Sequence, residues 1–224
     1  MKIYCFAGPN GSGKSTLVNN FIETNSLSNI PFINADLITK ELFPMIEDYN
    51  ERNLAGAKYA TQLREKLIEQ GQDFMFETVL STPRNLDLLK KAKEKGYEIT
   101  VIYAITNNSE INVKRVAKRV SQGGHDVPTE KIIERYDRCI KLLPEVLDVA
   151  DIAILYDNSM DNFTQLVAKK TKSQQLLTFY DSNDFFEEKI INPYCIQFNI
   201  NKINCGILPI PNELNKEQED EMTQ

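Results

Sequence analysis

Residues Gly8-Pro9-Asn10-Gly11-Ser12-Gly13-Lys14-Ser15 spell the pattern G-x-x-x-x-G-K-[ST] directly after an apolar run, Ile3 to Ala7, and just before an amphipathic stretch carrying Leu17, Val18, Phe21 and Ile22. A strand, a glycine-rich turn and a helix in that order build a phosphate loop. Glycine lets the backbone curl so that successive N–H groups point inward at anionic oxygens. Lys14 places a charge beside the β- and γ-phosphates, Ser15 offers a hydroxyl to Mg²⁺, and the helix opening at Ser15 and Thr16 adds the positive end of its dipole. Residues 8–16 are therefore the candidate site for ATP or GTP. A glycine-rich surface turn, the competing reading, gives Lys14 no reason to follow Gly13 at the end of a buried strand.

The 224 residues can bury one substantial core. A net charge of −6 argues against a general nucleic-acid or membrane surface, so the basic residues that matter must act locally. Cys5, Cys139, Cys195 and Cys205 are scattered without a C-x-x-C pair and read as reduced thiols of a cytoplasmic protein. A strand beginning at Ile3 leaves no room for a targeting segment, and no apolar run is long enough to cross a bilayer.

Apolar segments alternate with helical patterns, which predicts a parallel sheet covered on both faces. Strands are expected near 2–7, 31–34, 73–78, 98–105 and 152–156, with helices near 14–25, 37–43, 50–70, 84–95, 109–121 and 129–147. The fold class is α/β: a three-layer P-loop NTPase with a mostly parallel five-stranded core, a helical lid around 109–140 and a small C-terminal addition. The core is assigned to 1–160, the addition to 161–206 with a hairpin from Leu166 to Tyr180 and a helix from Phe185 to Ile191, and an acidic tail to 207–224. In such sheets the ligand sits at the carboxyl ends of the strands, which directs attention to Gly8, Asp36, Glu77 and Asp157.

Asp36 ends the second strand segment, where a carboxylate can take the proton of an attacking hydroxyl; as an N-cap of a helix starting at Leu37 it would serve structure alone. Glu77 follows Phe74-Met75-Phe76 and must emerge or be paired, with a substrate hydroxyl or Mg²⁺-bound water as partner. Thr78 beside it offers a neutral hydroxyl to substrate. Arg115 and Arg119 share a helical face before Gly123-Gly124-His125, and Arg135 and Arg138 follow on the next helix. Arg119 and then Arg135 are the candidates to clamp the transferred phosphate, while a solvated basic face accounts equally for Arg115, Lys118 and Arg138. His125, the single histidine, reads as a loop or substrate-bonding residue. Asn158, after the last core strand, is a candidate contact to the nucleotide base, with a turn cap as its alternative.

The segments Gly8 to Thr16, Asn34-Ala35-Asp36-Leu37-Ile38, Leu54-Ala55-Gly56, Phe76-Glu77-Thr78-Val79-Leu80-Ser81, and Arg119 through Pro128 with Glu134-Arg135-Tyr136 together resemble the zeta toxin family of P-loop kinases, in its compact branch. The resemblance implies transfer of the γ-phosphate of ATP or GTP to the 3′-hydroxyl of the amino sugar in UDP-N-acetylglucosamine, with a small helical antitoxin as partner. It implies Lys14 on the transferred phosphate, Ser15 on Mg²⁺, Asp36 as the catalytic aspartate, Glu77 on the sugar, and Arg119 with Arg135 as the phosphate clamp. Other acceptors (a nucleoside, a different sugar, an RNA end) and a nucleotide-dependent ATPase or switch are the competing functions.

Overall fold

Strand β1 (Lys2–Ala7) is apolar toward both faces from Ile3 onward, and it lies inside the sheet, third of eight described strands. In the computed structural model, which describes residues 1–161, 163–172, 174–180, 183–199 and 207–208, it is followed by α1 (Lys14–Thr24), β2 (Phe32–Ile33), α2 (Ala35–Leu42), α3 (Tyr49–Glu69), β3 (Phe74–Thr78), α4 (Pro83–Glu94) and β4 (Glu98–Ile105). Then come α5 (Ser109–Ser121), α6 (Thr129–Val149), β5 (Ile152–Asp157), β6 (Gln165–Thr171), β7 (Gln174–Tyr180), α7 (Asp184–Phe186), a π-helical stretch over Glu187–Ile191, α8 (Asn192–Gln197) and β8 (Ile207–Leu208). The strand order is β2-β3-β1-β4-β5-β6-β7-β8. From β2 to β5 every pairing is parallel, whereas β6 runs antiparallel to both β5 and β7.

Burial on both sides explains why the central strands lack polar alternation. On one face Ile3, Cys5 and Ala7 join Phe74, Phe76, Val101 and Tyr103 beneath Leu89 of α4 and Leu143 and Leu147 of α6. On the other, Phe6, Met75 and Ile102 pack against Val18, Leu17 and Phe21 of α1. The parallel register brings Ala7 beside Thr78 and Tyr103, so the loop after β1 opens between the ends of β3 and β4. Asn34, Glu77 and Asp157 arrive at that same edge.

The C-terminal addition continues the sheet, because β6 pairs directly with β5. Lys170 of β6 is buried and donates to the carbonyls of Leu147 and Asp148, and Lys93 donates to Val149 O, so both ammonium groups satisfy carbonyls that the C-terminal end of α6 leaves without intrahelical partners. The expected helix over 185–191 is instead helical from Asp184 to Gln197 with a π-helical middle. Cys205 and the acidic tail beyond 208 lie outside the described residues. Among those described, no helix is long and apolar enough to cross a membrane.

One expected boundary is corrected. Helix α2 begins at Ala35, two residues before the predicted start, because Asn34 and not Asp36 is its cap. The Asn34 Oδ1 accepts from the Asp36 and Leu37 N–H groups at 2.8 and 3.2 Å, while its Nδ2 donates to Glu77 at 3.3 Å. One amide thus ends β2, starts α2 and ties both to β3. Asn34→Ala should cost about 1 kcal/mol of stability, typical of a lost cap, and lower the melting temperature by roughly 2–4 °C in a chain of this size. Thermal unfolding followed by circular dichroism measures it.

Candidate active site

The loop after β1 takes its shape from glycines and its support from neighbours. Gly11 and Gly13 have φ of 77° and 88°, and a β-carbon would meet Asn112 O at 2.6 Å in the first case and Asn158 Nδ2 at 2.1 Å in the second. Asn112, fully buried on α5, donates to Asn10 O at 2.6 Å and accepts from the Thr106 hydroxyl. Asn158, after β5, donates to Ser12 O at 2.8 Å and accepts from Thr164 Oγ1 at 3.0 Å. Arg135 reaches the loop from α6, donating to Asn10 Oδ1 at 3.2 Å.

With its outer side walled in this way, the loop presents its inner side to a ligand. Helix α1 starts with no side-chain cap and no acidic residue in its first turn, so its leading N–H groups and dipole face the loop's concavity unopposed. Ser12 Oγ is buried with no hydrogen-bond partner among the described residues. Uncapped donors around a glycine cradle fit the phosphates of a nucleotide.

Lys14 is buried and donates to Pro9 O at 2.8 Å. Burial holds its ammonium pKa below the ordinary value, and the charges of Glu77 and Asp36 oppose that shift. Ser15 Oγ lies 3.2 and 3.5 Å from the two carboxylate oxygens of Glu77. A hydroxyl beside a carboxylate, next to a phosphate cradle, is an oxygen donor set suited to Mg²⁺, which takes phosphate oxygens and water for its other positions. Glu77 thus stands beside the phosphate loop, the position that suits Mg²⁺-bound water, one of its two expected partners.

A cavity of about 420 Å³ opens beside Asp36. Lys40, Tyr49, Arg52, Arg119 and His125 also line it. Because Asn34 caps α2, the Asp36 carboxylate is left free to face this space, and the reading of Asp36 as a cap is set aside. Arg119 donates to His125 O at 2.6 Å, and the His125 ring stacks on Tyr49. One carboxylate therefore shares the cavity with three basic side chains, Lys40, Arg52 and Arg119.

Two expected contacts lie elsewhere. Thr78 points away from Glu77, as adjacent strand residues must, and its Oγ1 accepts from Leu80 N and Asn85 Nδ2 at 3.2 and 2.6 Å in the turn toward α4. The Asn158 amide is engaged with the loop and Thr164, so it braces the phosphate site instead of offering itself to a base. Arg115 is not a solvated residue of a basic face: it donates to Asn158 O at 2.6 Å and pairs with Asp161 at 3.0 Å. Arg138 pairs with Glu134 on its own helix.

Sequence reasoning missed Asn112, Tyr49 and the double duty of Asn34. The signal for Asn112 was a poor helix former inside an amphipathic helix. Tyr49 carried no such signal, because its partner is 76 residues away.

A family model described as zeta toxin matches residues 2–170. An uncharacterized protein of Haemophilus influenzae is 30% identical over 135 residues, covering 60% of this chain and 92% of that protein. Among solved structures, a chain of the AvrRxo1-ORF1:ORF2 complex with ATP aligns with a TM-score of 0.65 at 14% identity, over 84% of this chain and 63% of that one, so this chain spans under two thirds of it. A chain of the PezAT chromosomal toxin–antitoxin system of Streptococcus pneumoniae aligns with a TM-score of 0.56 at 16% identity, over 100% of this chain and 87% of that one. At these identities the two structures are alike in fold.

The lowered pKa of Lys14 has a measurable consequence. A bound triphosphate favours the ammonium form and raises the pKa, so above the free-protein value binding must take up a proton. Affinity for ATP should hold steady at lower pH and fall as pH rises through the free-protein pKa, which lies below 10.5. Calorimetric titration across that range should show the fall in the wild type and its absence in Lys14→Ala.

Proposed function

The chain belongs to the zeta toxin family, and on that premise we propose that it transfers the γ-phosphoryl group of ATP to the amino-sugar 3′-hydroxyl of UDP-N-acetylglucosamine. The observation that carries this reading is the Asp36 carboxylate, which takes no part in capping α2 and lines a cavity shared with Arg119, both of them near enough to Lys14 of the phosphate loop to act on its charge. A nucleotide switch needs a site for water; a carboxylate lining a space of about 420 Å³ suits a bulkier hydroxyl compound. Lys40, Arg52 and Arg119 give that space a positive wall, which supports an acceptor carrying its own phosphates.

The roles follow from position. The N–H groups of residues 11–16 and the Lys14 ammonium bind and orient the triphosphate, and Arg135 is close enough to act with them through Asn10. Ser15 and, through water, Glu77 would hold Mg²⁺, which would supply neutralisation of phosphate charge. Asp36 accepts the proton of the acceptor hydroxyl as its oxygen bonds to phosphorus and the bond to the bridging oxygen breaks. Arg119 meets the charge on the equatorial oxygens, and residues 109–140 act as a lid that excludes water. A small helical antitoxin partner and a cytoplasmic setting belong to the same reading, the first supported by the fold shared with the PezAT chain.

Incubation of the protein with ATP, Mg²⁺ and UDP-N-acetylglucosamine should yield a product heavier by one phosphate in mass spectrometry. A product formed only from another metabolite in the same panel would replace the acceptor, and phosphate release without any phosphorylated product would replace the kinase. Asp36→Asn should bind ATP normally and lose roughly 10²- to 10⁴-fold in kcat, the range expected on removing a general base. Wild-type turnover in that variant would end the base assignment.

A further inference from the structure

The wall of the acceptor cavity is fastened from outside by a residue with no partner nearby in sequence. Tyr49 opens α3, and Asp48 caps that helix by accepting from Glu51 N at 2.8 Å, so the tyrosine projects from a fixed helix end. Facing it is the turn that closes α5. There Gly123 N donates to Val120 O and Gly124 N to Arg119 O, each at 2.9 Å, with Gly123 at φ 83°, a Schellman ending that folds the chain back over its own last turn. The fold-back is tight: a β-carbon at Gly124 would come within 2.5 Å of Arg119 Cγ.

This geometry delivers His125 to Tyr49. The two rings stack with centroids 5.3 Å apart and planes 24° from parallel, and Tyr49 Oη lies 2.7 Å from the ring nitrogens and 3.3 Å from Asp126 O. On its other side the same residue holds the arginine, since Arg119 Nη2 donates to His125 O at 2.6 Å, a charge-assisted bond. Tyr49, His125 and Arg119 therefore form a chain of contacts along the cavity that also contains Asp36.

We propose that Tyr49 is a positioning residue for phosphoryl transfer: by gripping His125 it fixes the loop over residues 123–127, and through His125 O it holds the Arg119 guanidinium at the cavity wall. The inference rests on the assignment of Arg119 to the transferring phosphoryl group. A free arginine side chain has about 2 kcal/mol of rotamer entropy to lose, and a paired glycine turn adds backbone freedom. The grip removes that freedom before the substrates arrive. Tyr49 is 43% exposed and outside the core, so its replacement leaves the fold standing.

A double-mutant cycle tests it, with Tyr49→Ala, Arg119→Ala and the pair compared for MgATP hydrolysis without acceptor and for transfer to UDP-N-acetylglucosamine. Tyr49→Ala should lower kcat by about 10- to 100-fold, the scale of a misplaced catalytic group, with KM for ATP unchanged. In the Arg119→Ala background it should have no further effect, since the tyrosine acts through the arginine. Tyr49→Phe keeps the stacking and should recover most of the loss. Hydrogen exchange should quicken over residues 121–127 in Tyr49→Ala and stay unchanged over residues 109–118. Full hydrolysis in either single variant, additive losses in the pair, or unaltered exchange in the loop overturns the proposal. The hydrolysis arm needs no acceptor, so it decides the role of Tyr49 even where UDP-N-acetylglucosamine proves not to be the substrate.

Discussion

The phosphate loop cannot hold its own shape, and the amides that hold it organise the rest of the site. A glycine-rich turn has maximal backbone freedom, which opposes a fixed ring of donors. Asn112 removes that freedom at Asn10 O and Asn158 at Ser12 O, both from outside the curve. Each amide is itself secured, by Thr106 and Thr164 respectively, and Arg115 clamps the Asn158 carbonyl. The donors are thereby oriented before a nucleotide arrives, which is the form of electrostatic stabilisation that needs no reorganisation during transfer.

A third amide of the same kind divides the labour of the two carboxylates. Asn34 caps α2 with its oxygen and touches Glu77 with its nitrogen. Capping by Asn34 releases Asp36 to the cavity, and the contact with Glu77 keeps that carboxylate beside Ser15. Two acidic residues that look interchangeable in the sequence so acquire different neighbours: one a hydroxyl and a phosphate cradle, the other an open space rimmed by arginine and lysine. Lys14 feels both, along with the burial that lowers its pKa.

The positions of the central strands and most helices could be read from the chain because burial on two faces leaves long apolar runs, and such runs have few ways to pack. Expected strands at 98–105 and 2–7 coincide with β4 and β1. The start of α2 could not be read with the same accuracy. Asn34 and Asp36 are both favoured caps, and only the reach of Asn34 to Glu77, across the pairing of β2 with β3, selects between them. Thr78 was misjudged for a related reason: the alternation of a strand sends it to the side opposite Glu77, where Asn85 claims its hydroxyl.

The loop pattern, its strand and its helix are contiguous in the chain, so the sequence by itself determined that this segment is a phosphate loop and which residues form it. Contacts between distant segments have no local pattern to betray them. That Asn112 and Asn158 would be spent on the loop, that Glu77 would meet Ser15, and that Tyr49 would stack on His125 was decided only in the tertiary structure. A polar side chain takes whichever partner the packed backbone brings within about 3 Å, and that partner is a property of the fold.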